Sequence, residues 1–237
     1  MGQKKLIRFA EIKTFPNVFQ YPVGMQGKWK DVYKNDNPIT LELACGKGEY
    51  AVGMGRLFPN DNFMGIDMKG NRIWVGAKTA LAEGLQNVAF MRTHIDKITD
   101  YFLPGEIKNI WLTFPDPQLR ISKAKRRLTH PKFLRLYQQI LAPGGSVNLK
   151  TDSPVLYNFT KQVIELYQLP LITEIDDLYA SETVDAVLNI KTHYEKLDIA
   201  QSERVHYLKF HLPAEPLPDK DNELKELILE TESDRGN

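Results

Sequence analysis

Ten residues, Leu41-Glu42-Leu43-Ala44-Cys45-Gly46-Lys47-Gly48-Glu49-Tyr50, constrain this chain more than any others. The apolar run from Ile39 to Ala44 carries one acid in its middle and meets two glycines spaced one apart, with an amphipathic segment behind them. That order encodes a buried strand, a tight turn and a helix start, the arrangement that brings backbone N–H groups up to a ligand. A charge inside a buried strand is costly unless it is paired. Glu42 therefore predicts a partner of opposite charge, either a structural lysine or a cationic group on a ligand.

Beyond Ile39 the pattern alternates. Strands are expected at Ile39–Ala44, Asn62–Asp67, Val88–Arg92, Lys108–Phe114 and Ser146–Lys150. Between them helices are expected at Glu49–Leu57, Lys69–Glu83 and Pro131–Leu141, and another follows at Pro154–Tyr167. Two β-rich runs, Leu171–Ile175 and Arg204–Phe210, close the series around a long insertion. Such alternation implies an α/β fold, a mostly parallel sheet with helices on both faces. The domain is expected over 39–213. Residues 1–38, polar and punctuated by Pro and Gly, read as an extension lying over it. Residues 214–237 carry eight acids against three bases and read as an acidic, mobile tail with a short helix around Leu224–Leu229. No apolar run approaches the ~20 residues that span a bilayer, and the start lacks the h-region of a signal peptide. The single cysteine, Cys45, excludes an internal disulfide framework and fits a reducing cytoplasm.

In an open sheet of this kind, ligands bind beyond the carboxyl ends of the strands. The polar residues of the sequence converge there: Gly46 and Gly48, Asp67, His94, Asp116 and Asp152. Gly46-x-Gly48-x-x-Ala51, with Asp67 19 residues after Gly48, also satisfies a dinucleotide fingerprint, so a nicotinamide oxidoreductase competes at this point. Glu42 favours S-adenosylmethionine, whose methionine end carries an ammonium. Phe114-Pro115-Asp116-Pro117 is expected to be a stiff loop presenting one carboxylate, each proline pushing its predecessor toward extended geometry. Behind it, Gln118 to Arg135 holds seven bases and no acid, which points to a polyanionic substrate and leaves open an RNA-binding protein without catalysis. No His, Cys, Asp or Glu cluster has metal-ligand spacing, so no metal is expected.

Assembled, these residues resemble the bacterial tRNA (guanine-N7-)-methyltransferase family over roughly residues 39–212. The resemblance is carried by Leu41–Tyr50, Gly65-Ile66-Asp67, Phe114–Pro117 with Lys125-Arg126-Arg127-Leu128, Lys150-Thr151-Asp152 and Thr192-His193-Tyr194-Glu195. It implies a Rossmann-like class I S-adenosylmethionine-dependent methyltransferase with a seven-stranded sheet. The substrate would be the variable-loop guanosine of conventional tRNA position 46. By that resemblance Glu42, Gly46, Gly48, Asp67, His94 and Asp116 hold the cofactor, and Asp116 and Asp152 serve catalysis. Arg120, Asp152, Thr192, His193, Tyr194 and Glu195 contact the guanosine. Lys123, Lys125, Arg126 and Arg127 meet the RNA backbone. The sequence departs from the family pattern at His94, Gln118 and Arg120. Monomer and homodimer both remain open.

Overall fold

The computed structural model describes residues 3–180, 184–193, 195 and 204–233. Eight strands form one sheet: β1 (Val18–Gln20), β2 (Ile39–Leu43), β3 (Asn62–Asp67), β4 (Val88–Arg92), β5 (Ile107–Thr113), β6 (Leu141–Thr151), β7 (Leu171–Ile175) and β8 (His206–His211). Their order is β1-β4-β3-β2-β5-β6-β8-β7. β8 runs antiparallel to both β6 and β7, and all other pairs are parallel. Chain order reverses between β2 and β5, which places the crevice of an open α/β sheet at their carboxyl ends.

All five residues of β2 are buried, as a strand covered on both faces requires. The period of two sends Leu41 and Leu43 to one face and Glu42 to the other. Leu41 and Leu43 join the core built with α5 (Pro131–Ile140) and α6 (Pro154–Leu166). The opposite core packs α3 (Glu49–Leu57) and α4 (Gly70–Ala82) against Phe63, Phe90 and Trp111. Pro131 and Pro154 each stand in the first turn of their helix, where a missing N–H costs nothing. His130 and Ser153 cap these helices, accepting from Lys132 N at 3.0 Å and Leu156 N at 3.3 Å. Burial holds His130 down at about 4, so its ring stays neutral and able to accept.

The eighth strand comes from before residue 39. Val18–Gln20 pairs in parallel with β4, and Ile12, Trp29 and Tyr33 are buried in the two cores. Its aromatics, aperiodic in sequence, are anchors: Trp29 Nε1 donates to Tyr101 O at 2.8 Å and Tyr33 OH to Phe63 O at 2.9 Å. Beyond the core domain, the short helix expected around Leu224–Leu229 is the longer α7 (Asp221–Ser233). Leu224 and Ile228 enter the core, and Asp221 accepts from Arg135 and Tyr167 at 2.8 and 3.0 Å. Four residues apart, those two apolar side chains give α7 a buried stripe that its net acidity masks.

Candidate active site

The glycine turn owes its shape to backbone conformation. Ala44, Gly46 and Gly48 all lie in the left-handed region, at φ 56°, 56° and 72°. The N–H groups of Gly46 and Gly48 donate within the fold, to Asp67 Oδ2 at 3.0 Å and Cys45 O at 2.7 Å. These glycines therefore serve conformation and close approach rather than donating to a ligand. Asp67 also accepts from Lys69 N at 2.8 Å, so one carboxylate ties the turn after β2 to the end of β3.

Among the described residues Glu42 meets no lysine. Its two oxygens accept from Ala51 N and Thr113 Oγ1, each at 2.9 Å, across the β2–β5 switch point. Burial above all, with Glu49 and Asp67 adding their charge, pushes its carboxyl up to about 8 against those two hydrogen bonds. A ligand bearing an ammonium and a sulfonium fits this set of carboxylates, since its positive charge offsets the repulsion that raises Glu42. The same surroundings push the Cys45 thiol well up, so the cysteine is an inert filler.

Asp116 lies exposed on the loop after β5, its Oδ1 accepting from Gln118 N at 3.0 Å. Phe114 adopts φ 47°, left-handed rather than extended, and so does Gln118 at 48°. Tertiary contacts override the proline effect: Phe114 N donates to Lys150 O at 2.8 Å. Arg127 grips the far side of the loop through Pro117 O at 3.1 Å and Gln118 O at 3.2 Å. Non-glycine residues at positive φ persist only where surroundings over-determine them, and they concentrate at functional sites.

Arg127 is thereby corrected. It is 2% exposed and lies over the Phe159 ring at 4.6 Å, so it braces the loop and offers no face to an RNA backbone. Lys132 pairs with Asp96, and Arg135 with Asp221. That leaves Arg120, Lys123, Lys125 and Arg126 around the short 3-10 segment Ile121–Arg126 as the outward-facing part of the basic run. Asp152, half-buried, follows the last residue of β6. His94 is exposed at the end of β4 with its ring 6.4 Å from that of Tyr21.

The turn at Thr192 folds as a reciprocal cap. Glu195 N donates to Thr192 Oγ1 at 3.1 Å and Thr192 N to Glu195 Oε2 at 3.3 Å. The Glu195 carboxylate was expected to face guanine, but it turns inward: Oε2 also takes Lys150 Nζ at 3.2 Å. Oε1 takes Tyr179 OH and, at 3.1 Å, Lys191 Nζ. Four donors fill its lone-pair positions. His193 N donates to Glu49 Oε1 at 3.3 Å, which brings this turn to the first turn of α3. Tyr194 lies outside the described residues. The sequence reading missed Thr113, Glu49, Tyr179 and Lys150. Of these Lys150 carried a signal, a lysine in a strand of buried residues.

A family model described as "Putative methyltransferase" matches residues 36–208. A tRNA (guanine-N(7)-)-methyltransferase of Porphyromonas gingivalis is 46% identical over 235 residues, 94% of this chain and 93% of its own. The enzyme of the same name from Bacteroides thetaiotaomicron is 45% identical over 236 residues, again 94% and 93%. The chain belongs to the tRNA (guanine-N7-)-methyltransferase family. Among solved structures, the 16S rRNA methyltransferase KamB superposes with a TM-score of 0.61 at 15% identity, over 83% of this chain and 99% of its own. At that identity KamB shows the shared class I methyltransferase fold alone. The nicotinamide alternative falls with the family assignment. No helix among the described residues is long and apolar enough to cross a membrane.

Proposed function

We propose that this chain is a cytoplasmic enzyme that methylates N7 of a guanosine in tRNA, at position 46 of the variable loop. What carries the reading is 45–46% identity over nearly the whole chain to relatives named tRNA (guanine-N(7)-)-methyltransferase, and position 46 is what the family resemblance implies. Bound S-adenosylmethionine would supply an electrophilic methyl group. Glu42, Asp67 and the Gly46–Gly48 turn would hold it, with Asp116 above and His94 toward the adenine.

Guanine N7 has a lone pair and no proton, so no general base is needed and the chain's task is to position the base. Positive charge grows on the purine as the bond forms, and carboxylates set beside it stabilise that charge. Asp116 and Asp152, after the neighbouring strands β5 and β6, would serve this. Arg120 and the Thr192 and His193 side chains would frame the base, and Glu195 would hold that frame from behind.

Incubation with methyl-labelled S-adenosylmethionine and an unmodified tRNA transcript, then reduction and aniline cleavage, is expected to give one cut, in the variable loop. A cut elsewhere overturns the position, and no label overturns the reading. Changing Lys123, Lys125 and Arg126 to Gln is expected to weaken tRNA binding at low salt. It should also flatten the salt slope by about three, one counterion for each lost phosphate contact. Arg127→Ala should leave that slope unchanged and lower turnover by releasing the Pro-Asp-Pro loop. A filter-binding titration from low to high salt separates the two.

A further inference from the structure

Lys150 is fully buried in β6, two residues before Asp152, and belongs to neither the cofactor set nor the guanosine set. Its ammonium reaches past the sheet edge into the segment that follows β7. There Nζ donates to Leu188 O at 2.8 Å, Tyr179 OH at 3.1 Å, Ile190 O at 3.2 Å and Glu195 Oε2 at 3.2 Å. The rings of Tyr50 and Phe114 flank it, at 5.4 and 5.5 Å from the charge. An ammonium has three N–H groups, so four acceptors share them and all lie in one stretch of chain. The described residues of that stretch form no strand in the sheet. The stretch is also held by Leu188, Val184, Val187 and Ile190 packed on the second core, by the close approach of Ile190 to Gly53, and by the His193–Glu49 hydrogen bond, but Lys150 is the buried charge that ties it to β6.

We propose that Lys150 is a positioning residue, a buried pin that fastens the Thr192–Glu195 turn to the strand bearing Asp152 and so sets the guanosine pocket against the reacting carboxylate. The proposal rests on the reading of that turn as the element facing the guanosine. The pin acts on geometry and leaves tRNA affinity to the basic loop, because phosphate contacts there supply binding. A small misplacement of a reacting base can cost on the order of 100-fold in turnover while binding is kept.

Charge gives the pin a second signature. Burial brings the Lys150 ammonium down to about 8, with Glu195 opposing that fall and Lys191 adding to it. Among the described residues the other titratable groups around it are Tyr179, Tyr50 and its cross-strand partner Tyr207, all pushed well up by burial and so protonated throughout. Raising the pH through about 8 therefore strips the proton from Lys150 and loosens the turn. Removing the Glu195 charge must move that loss to lower pH, since the carboxylate is what holds the proton on.

The test is steady-state turnover against pH at saturating cofactor and tRNA, with both dissociation constants measured alongside. For Lys150→Met, kcat is expected to fall about 30–100-fold with both constants within threefold of the parent, and the alkaline limb to vanish. Unchanged kcat overturns the proposal. So does a fall in which cofactor affinity and melting temperature collapse together, the mark of a merely structural lysine. Should Lys150→Met not fold, Glu195→Gln decides: an alkaline limb displaced to lower pH supports the pin, and an unmoved limb overturns it. His193→Ala tests the underlying reading separately. Full activity there removes the turn from the guanosine site, and amide exchange at Asn189 and Ile190 in Glu195→Gln then tells whether the pin still holds the segment.

Discussion

Gly48→Ala is expected to abolish cofactor binding and to lower the melting temperature by about 5–15 °C. Gly48 sits at φ 72°, where a residue with a Cβ costs roughly 1–2 kcal/mol. Space makes matters worse. A Cβ there would lie 2.3 Å from Cε1 of Phe90 and 2.8 Å from its Cζ. The Phe90 ring has nowhere to go, since it is wholly buried and two further glycines, Gly65 and Gly76, already approach it closely enough that a Cβ on either would clash. Overpacking of this kind costs about 1–3 kcal/mol, and together the two effects amount to roughly 2–5 kcal/mol. In a chain of this size each kcal/mol shifts the melting temperature by about 2–4 °C. The turn can escape only by opening, which breaks the Gly46–Asp67 hydrogen bond and the edge that would receive the cofactor. Gly84→Ala is the control, with φ 68° and nothing within 4 Å of a Cβ, and it should show the conformational cost alone. Melting curves with and without S-adenosylmethionine read both effects. A Gly48→Ala protein that still gains melting temperature from the cofactor would show that the turn tolerates a side chain.

The glycine turn was legible because its signal is local, a strand, a spacing and a helix start within ten residues. Glu42 was legible for a different reason: a charge in a buried strand demands a partner, and that demand is visible without coordinates. The identity of the partner was not visible. Thr113 lies 71 residues away and Ala51 contributes a backbone group, and only the fold brings either to the carboxylate. The same demand applied to Lys150, in the buried second half of β6, would have raised the same question, and its answer is spread over residues 179 to 195. Arg127 marks the opposite limit. In sequence it is one of seven like charges, and nothing local separates the arginine that braces a loop from neighbours that face solvent. The first strand was missed because three half-buried residues carry no period, while α7 hid two core positions beneath net acidity. Each of these depends on what packs where, which composition does not record.

Asp152→Ala is expected to lower methyl transfer by about 100- to 1,000-fold while cofactor affinity stays within twofold. Asp152 follows Thr151, whose Oγ1 accepts from Ser153 N at 3.1 Å, and Ser153 in turn caps α6. The backbone is thus fixed on both sides by groups the substitution leaves alone, so the loss reports the carboxylate and not the scaffold. The carboxylates proposed to hold the cofactor, Glu42 and Asp67, sit on β2 and β3, across the switch point from β6. Removing one preorganised group that faces developing charge costs about 2.7–4 kcal/mol, the origin of the range. The asparagine variant sharpens the point. If the carboxylate acts by charge on the purine as it becomes cationic, Asp152→Asn should be nearly as slow as Asp152→Ala. If it acts only as a hydrogen-bond acceptor, the asparagine should recover most of the rate. Asp116 should behave differently under the proposed roles, in which it serves both cofactor and base: Asp116→Asn is expected to weaken cofactor binding as well as turnover. Calorimetric titration of the cofactor alongside single-turnover transfer separates the two carboxylates. A collapse of cofactor affinity in Asp152→Ala would move that residue from the base to the cofactor and leave Asp116 alone to meet the charge on the purine.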